Sequence, residues 1–109
     1  MGQFIKLPKS TTDPTSFDLM HIFSGVAEIL SDGNTTLEVR MMTDSHSSND
    51  ELPLYEIATS ATMSNAQRLQ MIQNMSKAVQ EATLKPNSVP TLVLVDGVTV
   101  SSLTYRETY

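Results

Sequence analysis

Cysteine and tryptophan are both absent from this sequence of 109 residues. Without cysteine the chain has no disulfide bond, no thiolate metal site and no cysteine nucleophile, although this leaves its redox compartment open. Glycine is also scarce, with 4 residues too dispersed to form a loop that cradles phosphate groups. Aromatic residues make up 6% and hydrophobic residues 39% of the chain, enough for one thin core, so we expect a single domain over residues 1–109.

Runs of basic residues and long apolar runs are missing as well. Acidic residues number 12 and basic residues 7, the formal net charge is −5, and the cations are scattered along the chain. Since nucleic acids and anionic membrane surfaces attract clustered lysine and arginine, this balance disfavours both as partners. The first residues lack the features of a signal peptide, and no apolar stretch reaches the length of a membrane span. We therefore expect no contact with a membrane.

The beginning of the chain has the features of β-structure. Residues 4–7 predict a short strand that a proline stops. Residues 17–30 are mostly apolar and lack strict alternation, and Gly25 interrupts them. A single strand that bends or bulges at this glycine explains the pattern, because glycine within a strand commonly marks a bulge. A helix over residues 17–23 is the alternative.

A hairpin follows this stretch. Asp32 and Gly33 between two apolar runs predict a tight turn, because both central residues of such a turn need positive φ. Residues 37–42 then alternate between apolar and polar positions, which is typical of a strand with one buried face. A polar loop over residues 43–53 and a short strand over residues 54–59 complete this half of the chain.

Residues 64–83 predict the one helix of the chain. Ser64 can cap its N-terminus, and Gln67, three residues later, completes a capping box. The apolar residues of this segment fall within a third of the helical circumference and its polar residues occupy the opposite side. The apolar set consists of Met71, Ile72, Met75, Ala78, Val79 and Ala82. A helix with one apolar face needs a sheet to cover.

The C-terminal part predicts more sheet. Residues 91–95 form a continuous apolar run that favours a strand buried on both faces. Asp96 and Gly97 repeat the hairpin signal, and residues 98–105 alternate as a returning strand. The order of four strands, a helix and two strands predicts an α+β fold. We expect a curved, mostly antiparallel sheet, or a small partly open barrel, of five or six strands with the helix packed on one face.

The two histidines, His21 and His46, are the first candidates for chemistry. His46 lies in the polar loop near Asp44, Asp50 and Glu51, but this spacing matches no ligand motif for a metal, so we interpret the loop as solvated. His21 lies in an apolar stretch, where a partly buried, hydrogen-bonded histidine is more common than a catalytic base. We therefore predict no catalytic residue, no metal site, no cofactor and no enzymatic activity.

Five residues are candidates for contact with a partner or ligand. Arg68 lies in the first turn of the predicted helix, where it can form a salt bridge across a subunit contact or extend past the edge of the core. Met71 and Met75 share its side of the helix and fit either a core or an adaptable subunit contact. Tyr105 and Arg106 can stack on bases or anchor a partner, and the alternative for them is an ordinary strand end.

The layout of the chain resembles that of a group of phage proteins. Residues 4–8 read Phe-Ile-Lys-Leu-Pro and lead into a hairpin, then a capped helix, then a closing Val-Thr-Val-Ser-Ser-Leu over residues 98–103. This order is similar to that of small uncharacterised proteins of marine tailed phages, particularly those of cyanobacteria. The resemblance implies a phage or marine-metagenome origin and no assigned activity.

A second resemblance concerns architecture. A long strand bent at Gly25 and followed by a tight hairpin resembles the strongly curved sheet of Sm-like proteins, which form rings and often bind RNA. The predicted helix comes late in this chain, and Arg40 is followed by Met41 where the second Sm motif has glycine. The resemblance therefore implies a small curved sheet and oligomerisation, and it assigns no RNA-binding residue.

These patterns favour a structural or assembly protein that is not an enzyme. We expect it to form a homo-oligomer, and its phage setting implies other phage proteins as further partners, in the virion or in the host cytoplasm. The alternative is an Sm-like module that binds single-stranded nucleic acid through its sheet and through Tyr105 and Arg106.

Overall fold

The computed structural model, which describes residues 3–23, 25–42, 53–85 and 87–106, contains two antiparallel sheets and one helix. β1 and β2 form a two-stranded sheet, and β3 to β6 form a four-stranded sheet in sequence order. The predicted α+β class is confirmed, with six described strands that form two sheets and not one closed barrel. The elements are β1 (Gln3–Pro8), β2 (Phe17–Ile22), β3 (Val26–Ser31), β4 (Thr36–Met41), β5 (Leu54–Thr59), α1 (Asn65–Leu84) and β6 (Val100–Arg106).

Residues 17–30 form strands, which confirms the prediction over the helical alternative, but they form two strands in different sheets. β2 pairs with β1, and β3 pairs with β4. The chain changes sheets around Gly25, whose carbonyl accepts a hydrogen bond of 2.7 Å from the N–H of Met42. A Cβ atom at this glycine would collide with Cε of Met42. Because that atom is the end of a flexible side chain that is 52% exposed, a larger residue at position 25 requires only that the Met42 side chain move.

The hairpin between β3 and β4 is confirmed at Asp32 and Gly33, and its loop is longer than the predicted two-residue turn. The N–H of Asp32 donates to the carbonyl of Thr36 at 2.9 Å, and Gly33 has a φ of 77°. The carbonyls of Asn34 and Thr35, within the loop, accept hydrogen bonds from the N–H groups of residues 63 and 59. These contacts with the end of β5 and the chain just after it hold the longer loop in place.

The alternation predicted for residues 37–42 is confirmed. Leu37, Val39 and Met41 are fully buried, and on the other face Met42 lies at the surface. Glu38 departs from the prediction, because it is only 7% exposed and forms an ion pair of 3.0 Å with Arg40. β5 covers the residues predicted for it, 54–59. The core joins buried side chains of both sheets and the helix with those of the chain around residues 92–98, and its largest fully buried members include Ile5, Leu7, Met20, Ile57, Met63 and Leu92.

Helix α1 begins and ends within one residue of the prediction. The Ser64 hydroxyl accepts a hydrogen bond from the N–H of Gln67 at 3.2 Å, and the Gln67 side chain accepts one from the N–H of Ser64 at 2.9 Å. This is the predicted capping box. The apolar face packs as predicted, with Ala78 and Ala82 buried in the core. No helix in the described part of the chain is long and apolar enough to cross a membrane.

The prediction of a strand over residues 91–95 is wrong. This segment makes one isolated parallel bridge with β1, where Leu92 and Lys6 are joined by a hydrogen bond of 2.9 Å. The bridge goes no further because the next backbone nitrogen of β1 on this side belongs to Pro8, which has no N–H to donate. The carbonyl of Val93 accepts a hydrogen bond of 2.9 Å from the side chain of Asn74 on α1. Val93 is 66% exposed, so only one face of the segment is buried.

The turn at Asp96 and Gly97 is present, but it does not join two paired strands as predicted. Gly97 has a φ of 78°, and the N–H of Val98 donates to the carbonyl of Val95 at 3.1 Å. The chain before the turn lies beside β1, whereas β6 after it pairs with β5. The turn therefore carries the chain from one sheet to the other.

Candidate functional site

Five ring side chains lie next to one another at the junction of the two sheets, and we call them the aromatic row: Phe4, His21, Phe23, Tyr105 and Tyr55. Phe4 and His21 face each other across β1 and β2, and their rings stack with centroids 4.7 Å apart. Tyr55 and Tyr105 face each other across β5 and β6, with centroids 5.3 Å apart. Each sheet therefore contributes one cross-strand ring pair, an arrangement that stabilises sheets.

Phe23 joins the two ring pairs. It follows the last residue of β2, and its ring contacts His21 on one side and Tyr105 on the other, with both centroid distances 5.9 Å. Both contacts are edge-to-face, the geometry that the ring quadrupoles favour. The hydroxyl of Tyr55 also donates a hydrogen bond of 2.9 Å to the backbone carbonyl of His21. The row therefore holds the two sheets together.

The row also has an exposed part that this structural role does not require. Phe23 is 46% exposed and Tyr105 is 45% exposed, whereas Tyr55 is buried. Leu19 lies two residues before His21 on the same face of β2 and is 49% exposed. The exposed members form an apolar surface at the junction of the sheets, and contiguous apolar surface of this kind is typical of contact sites.

Burial of Tyr55 is the main electrostatic feature of the row. Burial raises the pKa of its hydroxyl above the usual value, and the neighbouring Tyr105 raises the pKa further. The net effect is a raised pKa, so the phenol stays neutral at physiological pH and can donate its hydrogen bond to His21.

Two of the five predicted contact residues are neighbours on β6 and face opposite ways. Tyr105 belongs to the aromatic row. Arg106 extends from the other face of β6, since successive side chains of a strand alternate, and its guanidinium forms an ion pair of 2.8 Å with Glu56. The structure therefore does not bring Tyr105 and Arg106 together in one site, because the strand geometry separates them.

Met71 and Met75 belong to the core. Met71 is 1% exposed and Met75 is 0% exposed, and both pack among the buried side chains of the two sheets. Of the two alternatives for these methionines, core packing is therefore correct and a surface for subunit contact is not. The reason is the helix orientation, which turns this part of its apolar face toward the sheets.

Arg68 binds to the end of β3. Its Nε donates to the hydroxyl of Ser31 at 2.9 Å and one terminal nitrogen donates to the Ser31 carbonyl at 3.3 Å. The other terminal nitrogen donates to the side-chain oxygen of Asn65 at 3.2 Å. All three acceptors are neutral, and among the described residues no carboxylate forms an ion pair with this arginine.

The residues considered for catalysis and metal binding are the two histidines and the carboxylates near His46. His21 is partly buried and stacked on Phe4. His46, Asp44, Asp50 and Glu51 lie outside the described residues. Among the residues that are described, no group of three or more acidic or histidine side chains could hold a metal ion. The absence of enzymatic activity stays a prediction.

The sequence selected Tyr105 as a contact residue and His21 only as a candidate for chemistry, and it did not select Phe4, Phe23 or Tyr55. These residues come from β1, β2, the residue after β2, β5 and β6, and only the pairing and meeting of strands brings them together. One local signal was present, because Phe17, Leu19, His21 and Phe23 alternate with buried residues along β2. That pattern places rings and leucine on an outward face of the strand.

The fold and the site define an α+β protein of two antiparallel sheets with a partly exposed row of ring side chains where the sheets meet. The chain matches no protein-family model, and neither the curated proteins nor the solved structures contain a match to it. The phage-like and Sm-like resemblances therefore stay predictions.

Proposed function

We propose that this chain is an assembly protein, not an enzyme, that associates with copies of itself through the exposed part of the aromatic row. The observation that carries this proposal is the exposure of Phe23 and Tyr105, which are 46% and 45% exposed beside one another at the junction of the two sheets. Phenylalanine and tyrosine bury a large apolar area at a small cost in side-chain entropy, which makes such rings effective anchors of interfaces.

The charges around the row are consistent with an apolar contact. Lys6, the cation nearest to the row along β1, lies over the ring of Phe17 at 4.9 Å from its centroid. Lys9 is 3.8 Å from a carboxylate oxygen of Asp18. Lys9 is thus paired with a carboxylate and Lys6 contacts a ring, so both side chains are held by neighbours on β2 and not by the rings of the row. The phage setting, in the virion or the host cytoplasm, is part of the same proposal.

Light scattering behind a sizing column tests the proposal with a matched pair of variants. We expect the native chain to have a mass that is a multiple of 12.0 kDa. Phe23→Ser combined with Tyr105→Ser removes the exposed rings and should reduce the mass to that of one chain. The control combines Leu84→Ser with Val93→Ser, two apolar residues that are 72% and 66% exposed outside the row, and should keep the native mass.

A single substitution with a smaller structural effect tests the proposal independently of whether the double variant folds. Leu19→Lys places a second cation on the outward face of β2, opposite Lys6 of β1, and leaves every ring of the row in place. Copies that meet through the row would then bring like charges together, so this variant should also dissociate. A native chain that remains a monomer at high concentration contradicts the proposal.

Binding of single-stranded nucleic acid is the second candidate, and the half-exposed rings are the observation that favours it. Bases stack on exposed aromatic rings with little regard to sequence. Such a site also needs cations along the strand, and Arg106 is directed to the other face of β6, where it pairs with Glu56. Binding of a labelled oligonucleotide that weakens as salt is added, and that needs Phe23 and Tyr105, would favour this candidate over self-association.

A further inference from the structure

A long groove lies between β3 and helix α1, away from the aromatic row. It consists of two adjoining hollows of about 600 Å³ and about 260 Å³, which share Ile29 and Ile72 in their lining. The larger hollow alone is within the range of about 300–1,000 Å³ that is typical of ligand sites. We call this feature the β3–α1 groove, and its principal lining residues are Ile29, Leu30, Arg68, Leu69, Ile72 and Val79.

The free edge of a sheet opens into this groove. Within the described part of the chain β3 pairs with β4 and with no other strand. The N–H of Asp32 turns toward β4, where it donates to Thr36 at 2.9 Å. Because backbone groups alternate along an antiparallel strand, the groups of Ile29 and Ser31 turn the other way, into the groove.

The backbone groups on this edge are only partly satisfied. The Ser31 carbonyl accepts a hydrogen bond of 3.3 Å from Arg68. The N–H and carbonyl of Ile29 that face the groove have no hydrogen-bond partner among the described residues. Unpaired groups on an edge strand are a template for pairing with another strand, so this edge can accept an extended chain.

The lining of the groove indicates the chemistry of such a chain. Leu69 is 57% exposed on the helix side, and Ile29 and Ile72 are half-buried across from each other, which suits apolar side chains at alternate positions. At one end lies Arg68, whose guanidinium has only neutral acceptors; Asp32 lines the same hollow and forms no ion pair with it. Arg40, the other arginine of the lining, is paired with Glu28 and Glu38 at 3.3 and 3.0 Å.

We propose that the β3–α1 groove binds an extended peptide segment of a partner protein, which adds to β3 as a further strand and places a carboxylate against Arg68. Main-chain hydrogen bonds with Ile29 supply affinity in this mode, and pockets for alternate side chains supply selectivity. The carboxylate accepts a charge-assisted hydrogen bond from the guanidinium of Arg68, whose other acceptors are neutral. This site lies on different elements from the exposed rings, so it does not depend on the proposed self-association.

A library of random hexapeptides with free C-terminal carboxylates tests the proposal, since β3 itself has six residues. The library is panned against the intact chain, and affinities of the enriched peptides are measured by fluorescence anisotropy. The peptides are then synthesised with a methyl group on each backbone nitrogen in turn. We expect methylation to abolish binding at alternate positions, where the peptide N–H points to β3, and to leave it intact at the positions between.

Arg68→Gln tests the role of the charge, with Lys77→Gln on the exposed side of the same helix as its control. We expect Arg68→Gln to weaken binding of the enriched peptides by about tenfold, as loss of one charge-assisted contact does, and Lys77→Gln to leave it unchanged. Versions of these peptides with an amidated C-terminus and no acidic side chain have no carboxylate to pair with Arg68. They should therefore bind the native chain and both variants with the same affinity.

Three results would overturn the proposal. The first is a library that yields no enriched peptide. The second is an effect of N-methylation that shows no alternation along the peptides that bind. The third result is occupation by a second copy of this chain. In that case the amide signals of Ile29 and Ser31 in NMR spectra shift as the protein is concentrated, and no peptide competes with the shift.

Discussion

At the scale of single residues, Tyr55 couples the two sheets through one hydroxyl. Tyr55→Phe keeps the ring in the aromatic row and removes the hydrogen bond of 2.9 Å to the His21 carbonyl. We expect the free energy of unfolding at neutral pH to fall by about 1 kcal/mol, the usual net contribution of such a bond. Urea unfolding measures this change, and Tyr105→Phe is the control because its hydroxyl forms no hydrogen bond to the described residues.

Because the pKa of Tyr55 is raised, the difference in free energy of unfolding between the native chain and Tyr55→Phe should also depend on pH. Below the ordinary tyrosine pKa of 10.0 the hydroxyl is protonated in both the folded and the unfolded chain, so its ionisation has no effect on stability. As the pH rises through that value the unfolded chain loses its proton first, and the free energy of unfolding decreases. Tyr55→Phe lacks this decrease, so the stability difference between native chain and variant should narrow above pH 10.0. A difference that is constant or grows with pH would contradict the account.

At the scale of elements, helix α1 depends on its capping box for a defined start. Ser64→Ala removes the acceptor for the N–H of Gln67, and we expect it to lower the free energy of unfolding by about 1 kcal/mol. Ser76→Ala lies on the exposed side in the middle of the same helix, where alanine is the better helix former, and should be neutral or slightly stabilising. Thermal unfolding by circular dichroism separates the two variants, and equal effects would count against the cap.

The elements that could be predicted from sequence are those with a local signal. The capping box and the apolar stripe of α1 are local, as is the alternation of β4, and both elements lie where they were predicted. The change of sheet near Gly25 had no local signal. It results from long-range pairing, of β2 with β1 and of β3 with β4. Residues 91–95 have the composition of a buried strand, but their ladder with β1 stops because Pro8 has no N–H to donate to them. Periodicity within residues 91–95 does not show which strand they will lie beside.

At the scale of the whole molecule, the candidate site is a product of topology. Phe4, His21, Phe23, Tyr55 and Tyr105 come together only because β2 and β6 meet where the two sheets join. Only Tyr105 could be selected from sequence, as part of a pair with Arg106 that the strand geometry separates. The β3–α1 groove has the same origin, since an edge strand is defined by the order of the sheet and not by its own residues.

The most direct test of the central claim follows the side chains of the aromatic row by NMR as the protein is concentrated. If copies associate through the row, the ring signals of Phe23 and Tyr105 shift together as the mass rises, and the methyl signals of Leu84 and Val93 stay in place. Ring signals that remain constant while the mass rises, or shifts confined to Leu84 and Val93, would contradict the claim and place the contact elsewhere.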